Sequence, residues 1–263
     1  MQALETNGQI LYVEDRGAKE AQALVFSNSL GTDFRVWDPL IPHLPKNLRL
    51  IRYDKRGHGL SSGPDAPYSM EDHKEDLSGL LDQLGVTQAV IVGLSVGGMI
   101  AQSLAASRPD LVSGLVLSST AHVIGPPDMW ETRIEAIEKG GIASLSEVIL
   151  ERWFSAEFHR ERTQELAIWR AMLTRTPVSG YIGTCRAIQA ADLTESTKNL
   201  DLPAICVGGN EDGSTPPSLM RSLAGLLGSD FVEIDGVGHL PPVECPKKLG
   251  DIITAFLREH RFL

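Results

Sequence analysis

Apolar and polar positions along the chain switch between two periods, and each switch marks a change of element. Gln9-Ile10-Leu11-Tyr12-Val13-Glu14 alternates after the turn signal Asn7-Gly8, which predicts an edge hairpin opening a sheet. Short apolar runs then read as buried strands over Ala23 to Phe26, Leu48 to Tyr53, Ala89 to Val92, Val112 to Ser118, Leu202 to Gly208 and Phe231 to Ile234. Helical spacing lies between them. Leu77, Leu80, Leu81 and Leu84 form a stripe between the cap Ser69 and the stop Gly85, and Met99 to Ala106 runs helically to Arg108-Pro109. A helix is expected to begin near Trp37-Asp38-Pro39, another runs from Pro216 to Gly228, and Pro246 opens a C-terminal helix whose Leu249, Ile252, Ile253, Phe256 and Leu257 face the sheet. This alternation predicts an α/β fold, a mostly parallel eight-stranded sheet flanked by helices.

The alternation fails once. From about Ala121 to Thr197 the pattern is helical throughout, over Trp130 to Glu138, Ser146 to Trp153, Glu157 to Leu173 and Pro177 to Gln189. Residues 1–120 and 198–263 therefore read as the core, and 121–197 as an all-helical cap inserted over the C-terminal edge of the sheet, where open α/β folds bind ligands.

Chemistry concentrates where strands end. Gly93-Leu94-Ser95-Val96-Gly97-Gly98 places one serine on a strand-to-helix turn, with flanking glycines that relieve crowding, which is the nucleophile-elbow pattern. The helix that follows aims its first N–H groups at the same spot, and the amide of Val96 leads them as an oxyanion donor. A second donor is expected from the loop after the third strand, Ser27-Asn28-Ser29-Leu30-Gly31-Thr32, with Leu30 supplying the N–H. Asp212 and His239 each follow a strand directly, so a parallel sheet brings both to the edge that carries Ser95. In this arrangement His239 takes the serine proton, Asp212 fixes the imidazole, and no metal or organic cofactor is required. Glu211 competes with Asp212 for the acid role, and His58, in Asp54-Lys55-Arg56-Gly57-His58-Gly59-Leu60-Ser61, competes for the base but reads better as a residue structuring a tight loop.

Composition narrows the partners. A chain of 263 residues, 42% hydrophobic and 22% charged, without a linker, suits one large folded domain and excludes disorder. Its net charge of −10 disfavours nucleic acid and anionic membranes, so an anionic substrate needs a local basic seat. Cys185, Cys206 and Cys245 are odd in number and unclustered, indicating neither disulfides nor zinc and suiting a reducing cytoplasm. The first residues carry no export signal pattern, and no apolar run approaches ~18 residues. A cytoplasmic monomer or homodimer is expected.

Over essentially its full length the chain resembles the α/β-hydrolase superfamily, on Asp54-x-Arg56-Gly57-His58-Gly59-x-Ser61, Gly93-Leu94-Ser95-Val96-Gly97-Gly98 and Gly236-x-Gly238-His239, taken in that order. Within it, Phe26-Ser27-Asn28-Ser29-Leu30-Gly31-Thr32 resembles the oxyanion loop of the 3-oxoadipate enol-lactonases, where many relatives carry His-Gly in place of Asn28-Ser29. That resemblance implies hydrolysis of a five-membered enol-lactone with an acetate arm to 3-oxoadipate, late in bacterial degradation of catechol or protocatechuate. A small anionic lactone would then be the ligand. Its carboxylate needs a cation, and Arg133, three residues after Trp130 on the first cap helix, makes a plausible seat against the indole. Trp153 is a weaker wall candidate, and Arg152, Arg170 and Arg186 are the alternatives to Arg133. A general carboxylesterase or a carbon-carbon bond hydrolase would use the same triad, and a slow-turnover small-molecule receptor is the reading from another class. Ser95 excludes the dehalogenases and epoxide hydrolases of this fold, which carry aspartate at the elbow.

Overall fold

A computed structural model describes residues 1–263. Eight strands, β1 (Gln2–Thr6), β2 (Gln9–Arg16), β3 (Ala23–Ser27), β4 (Arg49–Tyr53), β5 (Ala89–Leu94), β6 (Val112–Ser118), β7 (Ala204–Gly209) and β8 (Asp230–Ile234), form one sheet in the order β1-β2-β4-β3-β5-β6-β7-β8. The β1–β2 and β2–β4 pairings are antiparallel and all others are parallel. β5 lies in mid-sheet with every residue buried, since helices cover both faces of a parallel sheet. Asn7 and Gly8, both at positive φ, make the hairpin turn between β1 and β2.

The helices of the α/β layers are α1 (Met70–Gln83) and α2 (Val96–Ser107), followed after a long helical stretch by α9 (Pro217–Leu227), α10 (Pro241–Glu244) and α11 (Pro246–Glu259). Ser69 caps α1 reciprocally with Asp72, and its leucines pack inward, while Leu249, Ile253, Phe256 and Leu257 bury one face of α11. Between β6 and β7 there is no strand. Six helices occupy that stretch: α3 (Pro127–Gly140), α4 (Ser146–Trp153), α5 (Ala156–Glu161), α6 (Thr163–Thr174), α7 (Val178–Ala190) and α8 (Thr194–Lys198). Core and insert share one apolar cluster, which runs from Leu24 and Val92 in the sheet to Ile134, Trp153 and Leu173 in the insert.

Two local expectations change. No α-helix begins near Trp37; short 3-10 turns cover Phe34–Trp37 and Ile41–His43, because Pro39 and Pro42 remove donors that an α-helix would need. The helix expected over Glu157 to Leu173 is divided between α5 and α6 at Arg162 (φ −115°, ψ 42°). There the guanidinium lies 4.3 Å from the Phe158 ring centre and donates to the carbonyl of Val243, a tertiary contact that overrides local helical preference.

Candidate active site

Ser95 sits between β5 and α2 at φ 57°, ψ −121°, a backbone region that costs of order 1–3 kcal/mol and persists only when its surroundings fix it. They do so here. Ser95 N–H donates to Ser118 O (3.0 Å), while Ser95 O accepts from Gly98 N–H (2.8 Å) and Thr120 Oγ1 (2.6 Å). The glycines allow close approach rather than flexibility: a Cβ on Gly93 would lie 2.5 Å from Gly98 Cα, and one on Gly97 2.0 Å from Ser27 O. The Ser95 hydroxyl donates to no protein acceptor and opens on a small cavity between the sheet loops and the insert.

The loops after β7 and β8 meet at this cavity. His239 Nδ1 lies 2.8 Å from Asp212 Oδ2, and both side chains are buried. Asp212 is held in turn: Oδ1 accepts the N–H of Ser214 (2.7 Å) and Thr215 (2.8 Å), and Oδ2 also accepts the Thr215 hydroxyl (2.8 Å). These bonds place Nδ1 against the acid and leave Nε2 as the free ring nitrogen. Glu211 does not reach His239; it is exposed and accepts Ala156 N–H (2.9 Å) from α5. Glu244, its carboxyl pushed up by burial, accepts Gly238 N–H (2.8 Å) and both the N–H and hydroxyl of Ser155 (3.1 and 2.6 Å), bracing the loop before His239.

The two amides expected as oxyanion donors flank Ser95. Leu30 N–H has no hydrogen-bond acceptor in the protein, and Val96 N–H occupies the first position of α2, where a helix offers no intrahelical acceptor. The segment 54–61 buttresses the Leu30 loop. Asp54 accepts the N–H groups of Phe34 and Leu60 (both 2.8 Å), Arg56 forks onto Asp76 (both 2.6 Å), and Ser61 donates to Asp54 O (2.5 Å). His58 lies away from Ser95. Its Nε2 accepts Gly31 N–H (3.1 Å) and its Nδ1 faces Arg56 O (3.1 Å), a neutral tautomer consistent with burial, which lowers its pKa.

The insert closes the cavity with Met129, Trp130 and Arg133 from α3, Arg152 and Trp153 from α4, and Tyr181 and Ile188 from α7. Trp130 is buried, and its indole N–H is committed to Ile124 O (2.6 Å). The Arg133 guanidinium stacks 4.9 Å from the Trp130 ring centre and pairs with no carboxylate. Arg152 likewise has no carboxylate partner; the one hydrogen bond of its guanidinium is to Met129 Sδ (3.8 Å). Arg170 pairs with Glu147 and Arg186 with Glu131, so neither alternative is free. Sequence reasoning ranked Arg152 below Arg133 and missed Tyr181, because cavity membership here depends on how helices far apart in the chain dock. Trp153 lines the cavity while its carbonyl accepts His239 N–H (2.8 Å).

Comparison with known proteins agrees with this architecture. The family model for the alpha/beta hydrolase fold matches residues 22–246. The chain is 31% identical to 3-oxoadipate enol-lactonase 1 of Acinetobacter baylyi over 251 residues, covering 95% of this chain and 94% of that one. Its structure superposes on the enol-lactonase of Burkholderia xenovorans with a TM-score of 0.94 at 34% identity, over 98% of this chain and 100% of that one. A thermophilic esterase from Thermogutta terrifontis superposes with a TM-score of 0.92 at 27% identity, over 99% of each chain.

Proposed function

We propose that this chain, which belongs to the α/β-hydrolase family and is an ester hydrolase, opens 3-oxoadipate enol-lactone to 3-oxoadipate in the bacterial breakdown of catechol or protocatechuate. One observation carries the substrate assignment. In a protein of net charge −10, Arg133 and Arg152 are the two arginines that line the cavity of Ser95, and neither has a carboxylate of the protein to pair with, whereas Arg170 and Arg186 elsewhere on the insert are ion-paired. A small lactone with a carboxylate arm supplies the counter-charge that both guanidinium groups lack. The enol-lactonase name of two relatives supports the same reading.

In this mechanism Ser95 Oγ attacks the lactone carbonyl while His239 Nε2 takes its proton. Asp212 holds the imidazole by Nδ1 and stabilises the imidazolium. The amides of Leu30 and Val96 receive the oxyanion, a donor of this kind being worth about 2.7–4 kcal/mol. Collapse breaks the ring C–O bond and expels an enolate, a good leaving group, which becomes a ketone by taking at carbon the proton that His239 carries, directly or through solvent, so that the imidazole is neutral again for the second step. Water then attacks the acyl-enzyme with His239 as base, and the new carboxylate leaves. Throughout, Arg133 over Trp130 seats the acetate carboxylate in a fork with an apolar wall.

The test is direct: purified protein should abolish the ultraviolet absorbance of the enol-lactone at turnover of about 1–10³ s⁻¹. Rapid cleavage of simple neutral esters with no action on the lactone would return the chain to the general carboxylesterases. Negligible turnover on both would favour the receptor reading.

A further inference from the structure

Lys55 is the residue the hydrolytic scheme leaves without a task. Its side chain is only 1% exposed, and its ammonium donates to Ser29 O (2.6 Å) and Thr32 O (3.3 Å). No carboxylate pairs with it. The acids that face it are otherwise bonded: Asp54 to two amides and Asp33 to Arg35. The histidines near it, His58 and His73, are both held neutral by burial.

A buried ammonium is costly to desolvate. Ser29 O also accepts Thr32 N–H (3.3 Å) and the Thr32 hydroxyl (2.9 Å), and Thr32 O also accepts Asn28 Nδ2 (3.4 Å). Both carbonyls would stay bonded without the lysine. What Lys55 adds is charge, and its placement is particular: Ser29 C=O and Leu30 N–H belong to the same peptide unit. In a trans peptide these groups point in opposite directions. A cation on the carbonyl side therefore turns the N–H toward the cavity and draws electron density away from it.

We infer that Lys55 is a positioning residue for the hydrolysis, its ammonium aiming and polarising the Ser29–Leu30 peptide so that Leu30 N–H is a stronger donor to the oxyanion. The inference rests on the roles given above to Ser95 and Leu30. Preorganised charge of this kind acts where negative charge develops and so lowers the barrier more than it aids substrate binding.

Wild type, Lys55→Met and Ser95→Ala should be compared on a neutral p-nitrophenyl ester, which the arginines do not select. Lys55→Met should lower kcat about ten- to hundredfold with KM changed less than about twofold. The inhibition constant of a trifluoromethyl ketone, which forms an oxyanion hemiketal on the serine, should rise by the same factor. Burial lowers the Lys55 pKa to about 7, so kcat/KM of the wild type should fall toward the variant's level as pH rises through that value, and the variant should lack this fall. Asp54, pushed up to about 6 by burial, titrates on the acid side of this limb. Thermal stability of Lys55→Met should equal or exceed that of the wild type, since a buried charge has been removed. An unchanged kcat and pH profile, or a loss of activity accompanied by a lower Tm and a raised KM, would overturn the inference in favour of a plain structural role. If Lys55→Met does not fold, the wild-type profile decides, and absence of its alkaline fall overturns the inference. Ser95→Ala that keeps its activity sinks the serine scheme and this inference together, whereas an inactive Ser95→Ala beside a fully active Lys55→Met sinks this inference alone.

Discussion

The two walls of the cavity are built on opposite principles. On the wall made by the sheet loops almost every polar group is bound: Asp212 accepts four hydrogen bonds, and His58 and Glu244 are each committed to backbone groups. What is left open there is the Ser95 hydroxyl, His239 Nε2 and the amides of Leu30 and Val96. On the wall made by the insert the reverse holds, since the apolar surfaces of Trp130, Trp153 and Ile188 surround two guanidinium groups with no anion of their own. Under the proposed function, folding completes the reacting groups in advance and leaves the selecting charge for the ligand to complete. Chemistry and selectivity should therefore be separable by mutation, one wall at a time.

The largest effect belongs to the first wall. Ser95→Ala should lower kcat more than about a hundredfold on the carboxylated lactone and on a neutral ester alike, because only residual oxyanion stabilisation survives. Steady-state assays on both substrates check this, and unequal losses would break the separation at its base. On the second wall, Arg133→Ala should cost about 1.5–3 kcal/mol in kcat/KM toward the lactone, the range for a charged hydrogen bond, and almost nothing toward the neutral ester. Arg152→Ala, measured in parallel, sharpens the contrast: the larger of the two losses identifies the arginine that carries the carboxylate. The smallest effect is expected at His58. His58→Gln should lower kcat/KM less than about tenfold on either substrate. A loss in kcat as large as that of Ser95→Ala in the same steady-state assays would move the base to His58.

Much of the first wall was legible in the residues, for a physical reason. Ser95, Asp212 and His239 stand directly after apolar runs, and a parallel sheet delivers every such position to one edge whatever the details of packing. Arg133 and Trp130 were also readable as a pair, because three residues on one helix share a face. The remainder depends on contacts between distant segments. Arg152 reaches the cavity because α4 docks beside the Asp212 loop, with Gly213 N–H on Arg152 O (3.2 Å), and no local pattern announces that. The break at Arg162 has the same kind of cause, a tertiary partner, whereas the missing helix near Trp37 follows from Pro39 and Pro42, which stand in the local sequence. Lys55 escaped notice because charge is read as surface in a sequence, and only the fold puts it beneath the Ser29–Leu30 peptide.

The seam between the walls has a consequence for opening motions. Arg152 O and Trp153 O accept the N–H groups of Gly213 and His239, while Ser155 and Ala156 donate theirs to Glu244 and Glu211. Residues 152–156 are thereby stitched to both loops that bear the acid and the base. Amide hydrogens at Gly213 and His239 are released only when this stretch comes away, so they share its free energy of local opening. A hinge that lifted α4 to admit substrate would dismantle the Asp212–His239 pair on every turnover. Entry by movement of α4 is therefore disfavoured, and hydrogen exchange in denaturant should show the end of α4 opening together with the Asp212 and His239 loops.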